Sequence, residues 1–327
     1  MPDPIWPQPL QPVSGPYPEN KLRGVAEGMG DAAPATLALI ETGLLSPDMM
    51  TQFTLYLLAR QPRSPRKSKT AASNTSETID ASDTSKAAKG APGVAGRIWA
   101  REQVTYHCPV ASAEPFVIEG ASTGRHVRKG RRYATTACAT VDREGRRIGT
   151  NLTTGLLAYR VDEGLADSVE GQPLEDTETP RPDWDTAPNN PHLDALAAAE
   201  VGEVLGGHPL VMSLAMMAAR DTDDPDNPIH SDPKVARAAG LAKPIAGGSH
   251  VQAFALELLM ARFGPQVLLH GTHVDTRWKA PTEADVSITP RAEITAVEKD
   301  RVEATIEVRL TRGPVAMAGR LVIPRPA

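Results

Sequence analysis

The stretch GGSHVQAFALELLMARFG, residues 247–264, decides the fold. Two glycines are followed by a segment that is apolar around most of its circumference, which predicts a helix buried on all sides. The segment DMMTQFTLYLLAR, residues 48–60, has the same character and predicts a second buried helix. A helix of this kind needs another layer of structure wrapped around it.

Strands with period-two alternation follow each of these helices in the sequence. Residues 132–160 predict a hairpin with its turn at 143–145, and turns are predicted again at 298–300 and 311–313. Apolar residues on one face of the last strands are Val302, Ala304, Ile306, Val308 and Leu310, then Met317, Leu321 and Ile323. The sequence therefore predicts an α+β fold in which antiparallel sheet covers each helix.

The two helix-and-strand blocks predict an internal duplication. Both contain Gly-Leu-x-x-Pro before the buried helix, at Gly43 and Gly240, 197 residues apart, whereas the hairpin glycines Gly145 and Gly313 are 168 apart. The difference of 29 is close to the length of residues 61–96, a segment without aromatic residues that predicts a disordered insert. We therefore predict an N-terminal unit at 1–161, a linker at 162–194 and a C-terminal unit at 195–327.

Composition excludes several classes of protein. A net charge of −5 argues against a nucleic-acid binder, and no apolar run is long enough to span a membrane. The two cysteines, Cys108 and Cys138, imply no disulfide framework and no cysteine metal site. With no signal-peptide pattern at the N-terminus, these features predict a cytoplasmic protein without a bound metal.

Chemistry is most strongly indicated in DTDDPDNPIHSDPKVARAAGLAKPIAGGSH, residues 221–250. A turn needs Asp, Asn and Pro for backbone reasons, but it does not need His230 a few residues after a carboxylate. A carboxylate and an imidazole together can move protons near neutral pH. The amide N–H groups at the start of the following helix, at Gly248, could stabilise an oxyanion.

Asn227-Pro228-Ile229-His230, with Gly248 eighteen residues after the histidine, resembles the motif of the MaoC-like, (R)-specific enoyl-CoA hydratase family, also called hydratase 2. The segment 275–288 resembles a strand of the same family. The resemblance covers residues 195–327 well and 1–160 only in layout. It implies a double hotdog, two units each with a long central helix wrapped by antiparallel sheet, of which the N-terminal copy is degenerate.

The resemblance implies that His230 and an aspartate are the acid–base pair and that the Gly248 N–H is the oxyanion donor. The family's aspartate lies five residues before the histidine, where this chain has Pro225. Asp224 is favoured, because a turn absorbs one extra residue easily, with Asp226 the alternative and Asp223 a weaker third choice. Further residues expected to contact substrate are Asn227, Gly247, Ser249 and His250, with packing at the helix start the favoured alternative for His250.

The implied reaction is the reversible hydration of 2-enoyl thioesters to (R)-3-hydroxyacyl thioesters, on coenzyme A (CoA) or acyl carrier protein. No cofactor is needed beyond CoA as part of the substrate, and a homodimer is possible. The alternatives are a non-catalytic acyl-thioester-binding subunit and a thioesterase that would use Glu257, a residue otherwise expected to face solvent or an interface. His270 and His273 are expected to be surface or structural residues.

The N-terminal unit has no counterpart of the histidine motif, because the 197-residue offset aligns Ala33 with His230. The resemblance suggests that its helix 48–60 forms a wall for the acyl chain.

Overall fold

The computed structural model describes residues 7–61, 98–157, 161–171, 190–220 and 228–325. The predicted insert, apart from Gln61, lies outside the described residues. So do positions 172–189 of the predicted linker and 221–227 of the predicted catalytic loop.

The C-terminal unit is built around helix α8, Gly248–Phe263, as predicted. Twelve of its sixteen residues are buried, and it ends at Gly264, whose φ of +117° favours glycine. The strands of this unit are β8 (Val204–Gly206), β9 (Leu210–Met212), β10 (Thr272–Trp278), β11 (Val286–Val297), β12 (Arg301–Leu310) and β13 (Val315–Pro324). Its shorter helices are α5 (Leu193–Ala197), α6 (Leu214–Arg220) and α7 (Pro233–Ala238).

The N-terminal unit has α1 (Glu19–Met29), α2 (Pro34–Glu41), α3 (Pro47–Thr51) and α4 (Phe53–Ala59). Its strands are β1 (Gln8–Pro9), β2 (Val13–Gly15), β3 (Ile98–Tyr106), β4 (Phe116–Arg128), β5 (Arg131–Asp142) and β6 (Arg147–Leu156). Within the predicted linker, β7 (Ser168–Gly171) pairs with β4.

The prediction of one continuous helix over 48–60 is wrong, because the helix breaks at Gln52 between α3 and α4. At the break, the Asn151 side chain donates to the carbonyls of Met50 and Thr51, at 3.3 Å each. A side chain that satisfies helix carbonyls in this way is a common cause of a helix break. The side chain that causes the break belongs to β6, about 100 residues away in the sequence.

All thirteen strands in the described residues belong to one sheet, with the order β1-β4-β5-β6-β3-β10-β13-β12-β11-β8. Strands β2 and β7 join at β4, and β9 joins at β11. The order β4-β5-β6-β3 is repeated in mirror image as β10-β13-β12-β11, and β6 and β13 are both ten residues long, 168 positions apart. The predicted α+β class is confirmed, and the strand order supports the predicted duplication.

The two units meet where β3 pairs antiparallel with β10. Arg101 makes two hydrogen bonds to Asp275 across this seam, at 2.9 and 2.6 Å, and both side chains are buried. Burial alone would raise the pKa of Asp275, but the hydrogen bonds and charge of Arg101 hold it below its usual value.

The two histidines near this seam are structural rather than surface residues. His273 is 2% exposed, its Nδ1 lies 2.9 Å from the Thr105 hydroxyl, and burial lowers its pKa to about 4. Burial also lowers the pKa of His270 to about 4. Both imidazoles are therefore neutral at pH 7.

Glu257 of α8 also joins the units, so of its two predicted positions, facing solvent or in an interface, the second agrees with the structure. It is buried, and its carboxylate accepts hydrogen bonds from the N–H groups of Ala35 and Thr36 and from the Thr36 hydroxyl, at 2.6, 2.9 and 2.8 Å. These are donors in the first turn of α2, where an anion is favourable. Glu257 therefore lies in the interface between the two units.

Glu102 of β3 is fully buried in the N-terminal unit. One carboxyl oxygen accepts from Asn151 and Thr153, at 3.2 and 3.1 Å, whereas the other has no partner among the described residues. Burial raises the pKa of Glu102 well above its usual value, although these two hydrogen bonds lower it. The protonated form is favoured here.

Among the helices of the described residues, none has the length and apolar character needed to cross a lipid bilayer.

Glu257→Ala should lower the free energy of unfolding by roughly 2–4 kcal/mol, because three buried donors lose their acceptor. Urea unfolding measures this. The control is Glu41→Ala, which removes an exposed carboxylate from the other end of α2 and should change stability by less than about 0.5 kcal/mol. Equal effects of the two substitutions would contradict the capping role.

Glu102→Gln should become increasingly more stable than wild type as the pH rises. With its folded-state pKa raised, Glu102 contributes stability below the pKa of the unfolded chain, and this is lost as the pH rises through the folded pKa. Between the pKa of Glu102 in the unfolded chain and its pKa in the folded protein, the difference in free energy of unfolding between the two proteins should grow by up to about 1.4 kcal/mol per pH unit. Urea unfolding of both proteins from pH 5 to 9 tests this, and a difference independent of pH would mean that Glu102 is not protonated in the folded state.

Candidate active site

A cavity of about 550 Å³ lies between the two units and receives residues from both. The N-terminal unit contributes Tyr17 and Lys21, then Gln52, Leu55, Tyr56 and Arg60 around α4, and Ile98, Trp99, Arg131, Tyr133 and Leu156 from the sheet. The C-terminal unit contributes His230, Ile245, Gly247, Gly248, Ser249, Val251, Trp278, Lys279 and Thr282. Its volume falls within the usual range of small-molecule sites.

His230 ends a 3₁₀ turn, Pro228–His230, that is anchored by its apolar neighbour. Ile229 is buried in a small cluster with Ala236, Leu241 and Ile245. The backbone N–H of Ile245 donates to the Ile229 carbonyl at 3.4 Å, which ties the turn to the segment before α8. This packing explains why an aliphatic residue precedes the histidine.

The tautomer of neutral His230 follows from its hydrogen bond. Nδ1 lies 2.6 Å from the carbonyl oxygen of Ile245, and a carbonyl only accepts, so Nδ1 carries the proton. Nε2 is then the nitrogen with the lone pair, able to accept a proton. His230 is half-buried at the wall of the cavity.

Gly248 is the first residue of α8, where the amide N–H groups have no partner inside the helix. Two tryptophans from the ends of β3 and β10 pack against it: a Cβ at this position would lie 2.9 Å from Trp99 and 3.1 Å from Trp278. Trp278 Nε1 also donates to the Gly248 carbonyl at 3.2 Å. Only glycine fits between these rings, and it leaves the helix start open to the cavity.

A buried ion pair lies next to the start of α8. Arg220, the last residue of α6, contacts Asp48 of α3 at 2.5 Å, and both are 3% exposed or less. The same guanidinium lies 3.5 Å from the Ser249 hydroxyl. Because Asp48 belongs to the N-terminal unit, the segment entering the predicted catalytic loop is held by the other half of the chain.

The structure brings together four of the predicted site residues, since His230, Gly247, Gly248 and Ser249 all border the cavity. His250 does not border it. Its side chain is fully buried, and Nε2 donates to the Gly28 carbonyl at 2.9 Å. Burial holds the pKa of His250 well below its usual value. The packing role favoured for His250 thus agrees with the structure, and the predicted contact with substrate does not.

Asp223, Asp224, Asp226 and Asn227 lie outside the described residues, so the choice of catalytic aspartate stays a prediction.

Several cavity residues were missed by sequence reasoning, among them Trp99, Trp278, Lys21 and Arg60. They are far apart in the chain, and no local pattern connects them. The helix predicted at 48–60 does provide part of one wall, through Leu55 and Tyr56 of α4. Whether an acyl chain lies along that wall remains a prediction.

Within the ranges that the structure describes, no group of three or more His, Cys, Asp or Glu side chains is arranged to hold a metal ion.

Comparison with known proteins shows which family model and which solved structures this chain resembles. The family model of the MaoC-like domain matches residues 215–315, and no curated protein matches the chain in sequence. A structure named MaoC-like dehydratase has a TM-score of 0.62 at 17% identity, covering 97% of this chain and 98% of that one. A conserved hypothetical protein from Mycobacterium tuberculosis with a double-hotdog fold has a TM-score of 0.56 at 14% identity, covering 96% of each.

A protein from Lactobacillus plantarum described as an oleoyl thioesterase is also similar, with a TM-score of 0.52 at 10% identity and 99% of each chain covered. At such identities the likeness concerns the fold, and the fold accommodates both dehydratases and thioesterases. Residues 215–315 thus match the MaoC-like domain model, and the chain as a whole has the double-hotdog fold. The predicted family resemblance and fold are confirmed.

Gly248→Ala should destabilise the protein by roughly 1–3 kcal/mol, because the added methyl forces Trp99 and Trp278 apart. Urea unfolding followed by tryptophan fluorescence measures both the stability and the altered environment of the rings. Gly206→Ala is the matched control, since nothing lies within 4 Å of a Cβ at that position. An unchanged fluorescence spectrum in Gly248→Ala would contradict the contact.

Proposed function

We propose that the protein catalyses the reversible hydration of 2-enoyl thioesters to (R)-3-hydroxyacyl thioesters. The observation that carries the proposal is the shared cavity of His230 and the start of α8 at Gly248. His230 supplies a base whose tautomer is fixed by the Ile245 carbonyl, and the start of α8 supplies helix N–H groups suited to an oxyanion. The MaoC-like domain match over 215–315 supports the same reaction.

In the hydration direction, Nε2 of His230 accepts a proton from a water molecule that attacks C3 of the conjugated thioester. Electrons move to the thioester oxygen, and the N–H groups at the start of α8 stabilise the enolate that forms. A proton is then delivered to C2. Addition from one face follows if both proton transfers come from groups on the same side of the substrate.

The second acid–base group in this proposal is Asp224, with Asp226 as the alternative. Both precede His230 by a few residues, and the segment that leads to them ends in the buried Arg220–Asp48 ion pair. A rigid approach to the loop suits a carboxylate that has to share one water molecule with an imidazole.

The carrier in this proposal is an anionic one, CoA or acyl carrier protein. Four cations line the cavity, Lys21, Arg60, Arg131 and Lys279, and no Asp or Glu lines it within the described residues. Complementary charge of this kind attracts phosphate-bearing ligands. No cofactor other than CoA in the substrate is required.

A thioesterase is the second candidate, because a protein described as an oleoyl thioesterase has a similar fold. The helix carboxylate it would use is Glu257, which is engaged by three donors of α2 and does not border the cavity. That engagement disfavours hydrolysis. A non-catalytic acyl-thioester-binding subunit remains the third possibility, and it requires His230 to have no role in turnover.

Purified protein should hydrate crotonyl-CoA or a longer 2-enoyl-CoA, followed by loss of absorbance of the conjugated thioester. His230→Asn keeps a donor for the Ile245 carbonyl but has no base, so kcat should fall roughly 10²- to 10⁴-fold. The control is His208→Asn, an exposed histidine away from the cavity, which should retain full activity.

Asp224→Ala and Asp226→Ala, tested in parallel, should differ, with a large loss in only one of them. Release of free CoA from a saturated acyl-CoA, without hydration of enoyl-CoA, would favour the thioesterase. Absence of both activities on short, long and bulky substrates would favour the non-catalytic subunit.

A further inference from the structure

The cavity wall farthest in sequence from the catalytic motif carries Lys21 of α1 and Arg60, which directly follows α4. Both belong to the N-terminal unit, which has no counterpart of the histidine motif. Neither forms an ion pair with a carboxylate in the described part of the chain. In a chain with 40 acidic and 35 basic residues, two cations on one wall without a carboxylate partner in the described residues call for an explanation.

Arg60 is held in place by aromatic rings rather than by a carboxylate. Its guanidinium carbon lies 3.5 Å from the centroid of the Tyr56 ring, a close cation–π contact. The Tyr17 ring stacks on Tyr56 with centroids 6.3 Å apart, and Tyr17 is four residues before Lys21. A guanidinium stacked flat on a ring keeps its edge N–H groups available for an oxyanion.

Both cations line the cavity that would receive a ligand. Lys21 is half-buried and Arg60 is exposed, and both border the same cavity as His230, which places them at its rim rather than in its core. Facing carboxylates, which would cancel their charge, are absent from the described lining residues. Cations without a facing carboxylate among the described lining residues favour an anionic group bound there.

We propose that Lys21 and Arg60 form an anion-binding subsite that takes a phosphate or carboxylate group of the substrate. The inference rests on the proposed acyl-thioester function, and it assigns a binding role to the unit without the catalytic motif. The oxyanion has two possible sources: the nucleotide phosphates of CoA, or a carboxylate at the far end of the acyl group. Both would bind through the same charge-assisted hydrogen bonds.

The experiment combines each of two thioester carriers with each of two acyl groups, which gives four ligands. Hexanoyl and 5-carboxypentanoyl thioesters, each made with CoA and with pantetheine, separate the nucleotide phosphates of the carrier from a carboxylate on the acyl group. Because they are saturated, they cannot be hydrated, and their binding is measured by calorimetry, with an assay for free CoA or pantetheine to detect hydrolysis. The proteins are wild type, Lys21→Gln, Arg60→Gln, the double variant and the control Arg23→Gln, an exposed cation of α1 that does not line the cavity.

If the subsite binds the carrier phosphates, Lys21→Gln and Arg60→Gln should each raise Kd roughly 3- to 10-fold for both CoA thioesters and leave the pantetheine thioesters unchanged. If it binds an acyl carboxylate, Kd should rise only for the 5-carboxypentanoyl thioesters, on either carrier. The effect should shrink as ionic strength increases. Urea unfolding verifies that these exposed or half-buried substitutions leave the fold intact.

Changes no larger than those of Arg23→Gln with all four compounds would overturn the subsite, as would failure of wild type to bind any of them. The proposed reaction is tested separately, by turnover of the matching 2-enoyl thioesters. Tight, charge-dependent binding without turnover would refute the hydratase and leave the anion subsite standing.

Discussion

The antiparallel pairing of β3 with β10 is the constraint on which the rest of this molecule depends. It fuses two helix-and-sheet units into one continuous sheet, and the bidentate Arg101–Asp275 pair is buried across it. Burying two charges is expensive, but geometry that satisfies both oxygens offsets the cost and penalises any shift in register. With that register fixed, the rings of Trp99 and Trp278 lie together at the start of α8, beside the cavity.

The two units contribute differently to the site. The C-terminal unit supplies His230 and the helix start at Gly248, whereas the N-terminal unit supplies most of the opposite wall and two buried attachments. One attachment is α2 on the Glu257 carboxylate, and the other is Asp48 on Arg220. The N-terminal unit has no counterpart of the histidine motif, and its side chains instead shape and charge part of the cavity. A second unit without catalytic residues is thus still part of the active site in this proposal.

Much of the fold could be predicted because its signals are local. The apolar run of α8, the period-two strands and the turns at 143–145, 298–300 and 311–313 all agree with the structure. In the site, His230 and Gly248 could be found from their spacing. The break at Gln52, the cap formed by Glu257 and the packing of His250 on Gly28 could not, because each depends on a partner about 100 to 222 residues away. Asp224 and Asp226 lie outside the described residues, so the choice between them stays a prediction.

The sequence by itself predicted most of the helices and strands, because periodicity and short spacings are properties of neighbouring residues, and it carried the histidine motif that resembles the family. Only the tertiary structure decided which polar side chains face the cavity and which are consumed in holding the units together. Glu257, His250 and Lys21 cannot be told apart in this respect by composition or position in a helix. Whether a charged group is available for chemistry depends on what lies across from it, and that is fixed when the two halves of the sheet meet.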